Sequence, residues 1–155
     1  MINRKDVREY GQGAIDRAAD LIAEFEGFSE KAYLCPAGVW TIGFGHTRNV
    51  TEGMTIDREE AVKLLRLDVA ERKAALESLI RVPVSESQLV ALLSFVYNVG
   101  VGNFSRSTML RKLNVGNYSG AAKEFGRWVF VNNQPLRGLM RRRAREKQIF
   151  ETPSA

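Results

Sequence analysis

The chain has 155 residues, one cysteine and one histidine, with 23 Lys and Arg against 18 Asp and Glu for a formal net charge of +5. That length suffices for one domain or two small lobes with a sizeable core, while a lone cysteine excludes an internal disulfide and no apolar run approaches the ~18 residues of a membrane span. A moderately basic chain suits an acidic polymer, either nucleic acid or an anionic cell envelope.

Residues 1 to 12 form a polar lead-in, short and helical or loose. MINRKDVREYGQG has no apolar core of the kind a secretion signal carries, so the protein is expected to stay in the cytoplasm until another factor releases it. The first helix runs from about Gly13 to Glu26, with Ile15, Ala18, Ala19, Ile22 and Phe25 on one apolar stripe. Glu26 continues that stripe, and Gly27 is a good residue for ending the helix. A carboxyl at a helix C-terminus among apolar neighbours has its charged form disfavoured twice over. A carboxyl that keeps its proton is what a general acid needs.

Lys31 to Cys35 and Val39 to Phe44 then read as two short strands around a Pro36-Ala37-Gly38 turn. In the second, Trp40, Ile42 and Phe44 share one face and Val39, Thr41 and Gly43 the other. The glycines of GFGH leave room for a ligand or another backbone to approach. Residues 46 to 56 read as a polar loop with a further short strand.

Asp57 and Glu60 predict a capping box. Ala61, Leu64, Leu65, Asp68, Ala75 and Leu79 carry the helix toward Ile80, and Pro83 closes it. Such a helix, over ~30 Å long, can bridge two lobes. Ser85 and Gln88 predict a second capping box, followed by an apolar face of Leu89, Leu92, Leu93, Val96 and Tyr97. Asn98 to Gly102 ends that helix. A shorter helix is expected from Phe104 to Leu113, another capped by Asn117, a turn at 132 to 135, a last helix from Leu139 to Phe150, and a frayed tail at 152 to 155. One helix, a small sheet, one long helix and a helical bundle make an α+β order.

Two sets of residues carry further chemistry. Cys35 can be a buried inert thiol, a group that holds a water, a thiolate nucleophile, or the partner of His46 in a cysteine peptidase or amidase. The run Arg137, Arg141, Arg142, Arg143, Arg145 and Lys147 is either a solvated helix face or a phosphate-binding surface of a nucleic-acid module. No paired Cys and His positions resemble a metal site, so no metal is expected.

Glu26, eight residues, Cys35, five residues, Thr41 and then Ile42-Gly43-Phe44-Gly45-His46 resemble the active-site signature of the phage lysozymes, glycoside hydrolase family 24. The family places Asp or, less often, Cys at the middle position. QLVALLSFVYNVG, FSRSTMLRKLN, GAAKEFGRW and GLMRRRAREKQIF look like that family's C-terminal lobe, so the resemblance covers nearly the whole chain.

It implies a single lysozyme-like domain over 1 to 155. A small hairpin lobe at about 13 to 56, a linking helix at about 57 to 80 and a helical lobe at about 81 to 150 would leave a cleft between them. It implies a phage or prophage muramidase that cleaves the β-1,4 bond of peptidoglycan glycan strands. Such an enzyme would work without a cofactor, bind no nucleic acid, act as a monomer and depend on a holin to reach the periplasm. A lytic transglycosylase is the near rival.

Glu26 would be the general acid, and Cys35 and Thr41 would position the attacking water. His46 and Asp68 would form a structural pair. GLMRRRARE resembles the family's GLxxRRxxE, with Arg142 facing Glu26 and opposing the effect of burial. Gly45, Tyr97, Asn98, Ser107 and Arg142 would contact substrate, and Trp128 is either core or a stacking surface.

Overall fold

The structure is a computed structural model that describes residues 2–153; the last two residues of the expected tail, Ser154 and Ala155, lie outside the described residues. The order of elements is α1 (Gln12–Glu26), β1 (Ser29–Leu34), β2 (Trp40–Gly43), α2 (Arg58–Leu79), α3 (Glu86–Val99), α4 (Val101–Ser105), α5 (Thr108–Asn114), α6 (Tyr118–Lys123), β3 (Phe130–Val131), β4 (Gln134–Pro135) and α7 (Arg137–Glu151). This is the expected α+β order.

The lead-in is tied down. Asp6 and Glu9 cap a single 3₁₀ turn at Val7–Glu9. Lys5 exchanges two backbone hydrogen bonds of 2.8 Å with Val84, and the Tyr10 hydroxyl donates to the Val84 carbonyl at 2.8 Å. The chain start is thereby fastened to the entry of α3.

α3 is the axis of the helical lobe. Its Ser85–Gln88 capping box forms in both directions, at 3.0 and 2.9 Å. Its residues Ser87 to Val96 are all buried, because α1, α2, α4 and α7 pack around it. α1 joins this core through Ala14, Ile15, Ala18, Ala19, Leu21 and Ile22. In three dimensions α1 therefore lies with the helical lobe, although it precedes the hairpin in the chain. An apolar helix face is buried best against other helices, and the two thin strands offer it little surface.

β1 and β2 pair antiparallel with Tyr33 opposite Thr41 and Leu34 opposite Trp40, and a register irregularity lies between Ser29 and Tyr33. The expected further strand is one bridge, Lys31 opposite Thr55. It is held by Ala32 N–H donating to Met54 O and Ile56 N–H donating to Glu30 O, both at 2.9 Å. α2 has 22 residues, about 33 Å at 1.5 Å per residue. Only half of its expected capping box forms: Asp57 accepts from Glu60 N–H at 2.8 Å, while the Glu60 side chain stays exposed in solvent.

Downstream, the helix expected from Phe104 to Leu113 is two, α4 and α5, broken at Arg106 and Ser107. Phe104 and Met109 must both enter the core, at 0% exposure each. Serine at the break is well suited to restart a helix. The expected turn at 132 to 135 is the tip of a small hairpin, with Asn132 and Asn133 at φ 50° and 64°.

Candidate active site

Glu26 is the last residue of α1, and Gly27 follows at φ 68°. Arg142 reaches it from α7, with Nη1 donating to Glu26 Oε1 at 2.8 Å. Oε2 is left facing Gly45, where a Cβ would stand 3.4 Å from it. That Cβ would also stand 3.5 Å from the Tyr97 ring and hydroxyl, and Gly45 has φ 85°, so only glycine fits here.

Arg142 is itself fixed from below. Its Nε donates to Glu146 Oε2 at 3.2 Å and its Nη2 to Ser94 O at 3.1 Å, and the Ser94 hydroxyl donates to Glu146 Oε2 at 2.6 Å. Arg143 Nη2 donates to the same oxygen at 3.2 Å. Arg143 Nε lies 2.7 Å from Glu146 Oε1 without the alignment of a hydrogen bond, so those two atoms attract as charges and have no other partner. Burial pushes the Glu146 carboxyl above its ordinary value, against the pull of Arg143, Ser94 and Arg142. Of the predicted arginine run, Arg142 and Arg143 thus turn inward, while Arg137, Arg141 and Arg145 face solvent. Glu146 is the last residue of the GLMRRRARE motif, where the sequence assigned it no role; a Glu four residues after an Arg on one helix is the signal of this contact.

The IGFGH segment folds back on itself. Ile42 and His46 exchange two backbone hydrogen bonds of 2.9 Å, and the glycines on either side of Phe44 take φ 65° and 85°. This turn buries Phe44 at 2% exposure against Phe28 and presents its carbonyl to the Tyr97 hydroxyl at 2.7 Å. It also directs His46 at α2. His46 Nδ1 lies 2.7 Å from Asp68 Oδ2 and Nε2 lies 3.0 Å from Arg48 O. Both ring nitrogens are thus engaged. No ring nitrogen is free for Cys35, and the cysteine–histidine dyad of the peptidase reading does not form.

Cys35 directly follows β1 at half-burial, with its N–H donating to Val39 O at 3.0 Å and its carbonyl accepting from Gly38 at 2.8 Å. Hydrogen bonds from the backbone at Val39 and Ala37 hold its thiol below the ordinary value, and the Thr41 hydroxyl adds to this. Thr41 is 4% exposed and donates to Val39 O at 3.0 Å. Tyr33, Cys35 and Thr41 share one face of the hairpin: Tyr33 is two residues before Cys35 and directly opposite Thr41. Sequence reasoning passed over Tyr33, although the strand alternation that selects Cys35 selects it too.

The remaining predicted contacts divide. Asn98 is exposed and lines a groove of about 370 Å³ with Asn103, Arg127, Trp128, Phe130 and Leu139. Trp128 lines that groove and its ring meets Phe95 edge-on at 5.6 Å. The other three expected contact residues have internal partners. The Ser107 hydroxyl caps α5, accepting from Leu110 N–H at 3.0 Å and donating to Phe104 O at 2.7 Å, with the residue 5% exposed. The Tyr97 hydroxyl is engaged by Phe44 O, and the Arg72 guanidinium lies 4.8 Å from its ring centre. Arg142 is 4% exposed and touches Glu26 rather than open solvent. All three are held in this way because a buried polar group takes an internal partner.

A family model described as phage lysozyme matches residues 23–146. The endolysin of Acyrthosiphon pisum secondary endosymbiont phage 1 is 47% identical over 136 residues, covering 85% of this chain and 93% of the relative. The muramidase domain of SpmX from Asticaccaulis excentricus superposes with a TM-score of 0.82 at 38% identity, covering 88% of this chain and 95% of that one. A P22 lysozyme superposes with a TM-score of 0.77 at 36% identity, covering 87% and 95%.

Proposed function

The chain belongs to the phage lysozyme family, and from that premise we infer that it works as an endolysin, a muramidase that hydrolyses the β-1,4 bond between N-acetylmuramic acid and N-acetylglucosamine in peptidoglycan. The observation that carries the reading is the clamped carboxyl of Glu26. One oxygen is held by Arg142 at 2.8 Å, and the other faces Gly45, where a Cβ would stand 3.4 Å from it.

In this reading Glu26 acts from its protonated form and gives its proton to the glycosidic oxygen as the C1–O bond breaks. A water bound between Cys35 and Thr41 adds to C1 from the opposite face and loses a proton to the Cys35 sulfur, so the anomeric configuration inverts. Proton exchange with solvent then restores both groups to their starting protonation. The lowered thiol value supports the acceptor role. The exchange of Asp and Cys at this family position also fits an acceptor better than a thiolate attack on the sugar. His46 and Asp68 brace the turn that carries Gly45 and take no part in proton transfer.

Among the described residues no helix is long and apolar enough to cross a membrane. Release to the wall is accordingly assigned to a holin. We take the active species to be the monomer, since Glu26, Cys35 and Thr41 all come from one chain.

Mass spectrometry of digested peptidoglycan tests the chemistry. A muramidase leaves reducing ends, whereas a 1,6-anhydro end would identify a transglycosylase and remove the hydrolytic reading. Replacing Glu26 by Gln removes the proton donor, and lysis of permeabilised Gram-negative cells should fall by roughly 100-fold or more with the fold intact. Near-normal lysis by a folded Glu26→Gln protein would refute the acid assignment. Cys35→Asp should keep substantial activity and Cys35→Ala much less. A glycosyl-thioether trapped at Cys35 would replace water positioning with covalent catalysis.

A further inference from the structure

The chain has four tyrosines, and three of them are anchored. Tyr10 donates to Val84 O at 2.8 Å, Tyr97 to Phe44 O at 2.7 Å and Tyr118 to Pro83 O at 2.6 Å. The hydroxyl of Tyr33 makes no hydrogen bond among the described residues, and Tyr33 is 43% exposed. A phenol with an open face and a free O–H is a group left available to a ligand.

Its position makes that availability specific. Tyr33 stands directly opposite Thr41 across the hairpin, so the two side chains are same-face neighbours. Cys35 follows two residues later on the same face. The phenol also titrates in the field of both Glu26 and Cys35, which together with burial raise its value, so it keeps its proton through the neutral range. The three groups around it are those assigned to the acid and to the water. Each of them already has a task in the bond cleavage itself.

We propose that Tyr33 is a substrate-positioning residue, whose ring borders the bound sugar and whose hydroxyl donates a hydrogen bond to it between Glu26 and the Cys35–Thr41 pair. This rests on the muramidase reading. The contact exists in the bound substrate and persists through bond cleavage, so its loss weakens binding and leaves the chemical step unchanged. No covalent step passes through the tyrosine.

The test compares Tyr33→Phe and Tyr33→Ala with the parent on soluble, uncrosslinked peptidoglycan glycan strands. Rates are read from reducing ends. Affinity is read separately by titrating labelled strands into proteins that also carry Glu26→Gln, which bind without turnover. Tyr33→Phe should raise KM and Kd about 3- to 10-fold, the loss of one hydrogen bond, with kcat within about twofold of the parent. Tyr33→Ala should weaken binding further, and both variants should keep the parent's thermal midpoint.

A Tyr33→Phe protein that binds strands as tightly as the parent overturns the contact. A lowered kcat with unchanged Kd also overturns it, moving the hydroxyl onto the attacking water. A wild-type protein that neither binds nor cleaves the strands overturns the muramidase reading and the contact together. A wild-type protein that cleaves them while Tyr33→Phe is silent removes the contact alone.

Discussion

The helical lobe and the hairpin lobe meet at Glu26 but are held together by different forces. In the helical lobe, apolar burial does most of the work. Phe95 is met edge-on by Phe104, Phe125 and Trp128 at 6.2, 5.3 and 5.6 Å. Leu89, Leu92, Leu93, Met109 and Leu113 are all at 0% exposure. The hairpin has little of this. Tyr33 and Leu34 are 43% and 55% exposed, and the strands lean on α2 through Phe44, Ile42 and the close approach of Gly43 to Ala61. Directional polar contacts do the remainder: His46 to Asp68, Arg48 to Glu71 at 2.7 Å, and Tyr97 to the Phe44 carbonyl.

The consequence is a division of roles. Burial is non-directional and collective, so the helical lobe supplies a stiff frame that holds Glu26 and Arg142. Hydrogen bonds and ion pairs are few and aimed, so they decide where the hairpin carries Cys35, Thr41 and Tyr33 relative to that frame. The charged cluster of Glu146 with Arg142 and Arg143, buried in the helical lobe, is also the one that orients Glu26.

That cluster offers the largest test. Glu146→Ala leaves two guanidiniums buried without their counter-ion, and removing one partner of a buried pair typically weakens a fold by about 3–5 kcal/mol. Urea denaturation should show that loss in full. A loss under about 1 kcal/mol would mean that the cluster is dispensable to the frame.

A smaller effect is expected at the hairpin, and it should be local. Asp68→Asn removes the charge that His46 faces, a charged hydrogen bond worth roughly 1.5–3 kcal/mol. Amide exchange should quicken over residues 29 to 56 while the amides of α3 keep their protection. Uniform loss of protection across both lobes would dissolve the distinction drawn between them.

The smallest effect is at the surface. The Arg48 side chain, through its hydrogen bonds, holds the Glu71 carboxyl below its ordinary value. A group with a lowered folded value contributes stability above its unfolded value, about 4.5, and loses it as pH falls through the folded one. Wild-type stability should therefore drop faster than that of Glu71→Gln as pH is lowered below about 4.5, and the two curves should run parallel above it. Both residues are largely exposed, so high salt should shrink the difference.

Much of this molecule was legible in the chain, because local rules act on neighbours in sequence. The stripe from Ile15 to Phe25 ended by Gly27, the Ser85–Gln88 box and the turn at Pro36 to Gly38 each report a local preference. All three appear where the pattern puts them. Local rules misled where two core demands competed, as at Ser107, which broke one expected helix into two. They are silent where a side chain's partner lies far along the chain, as Phe44 does for Tyr97 and Glu26 for Arg142.

Glu26 meets Arg142 across 116 positions and Tyr97 meets Phe44 across 53. The sequence alone determined the elements, their order, and the Glu26, Cys35 and Thr41 spacing, since periodicity, caps and turns need only nearby residues. Only the tertiary structure decided which arginine clamps Glu26, that Glu146 and Ser94 stand beneath it, and that Tyr33, of the four tyrosines, keeps a hydroxyl without a partner among the described residues. Those outcomes depend on which polar groups packing brings within about 3 Å of one another, a distance that no spacing along the chain encodes.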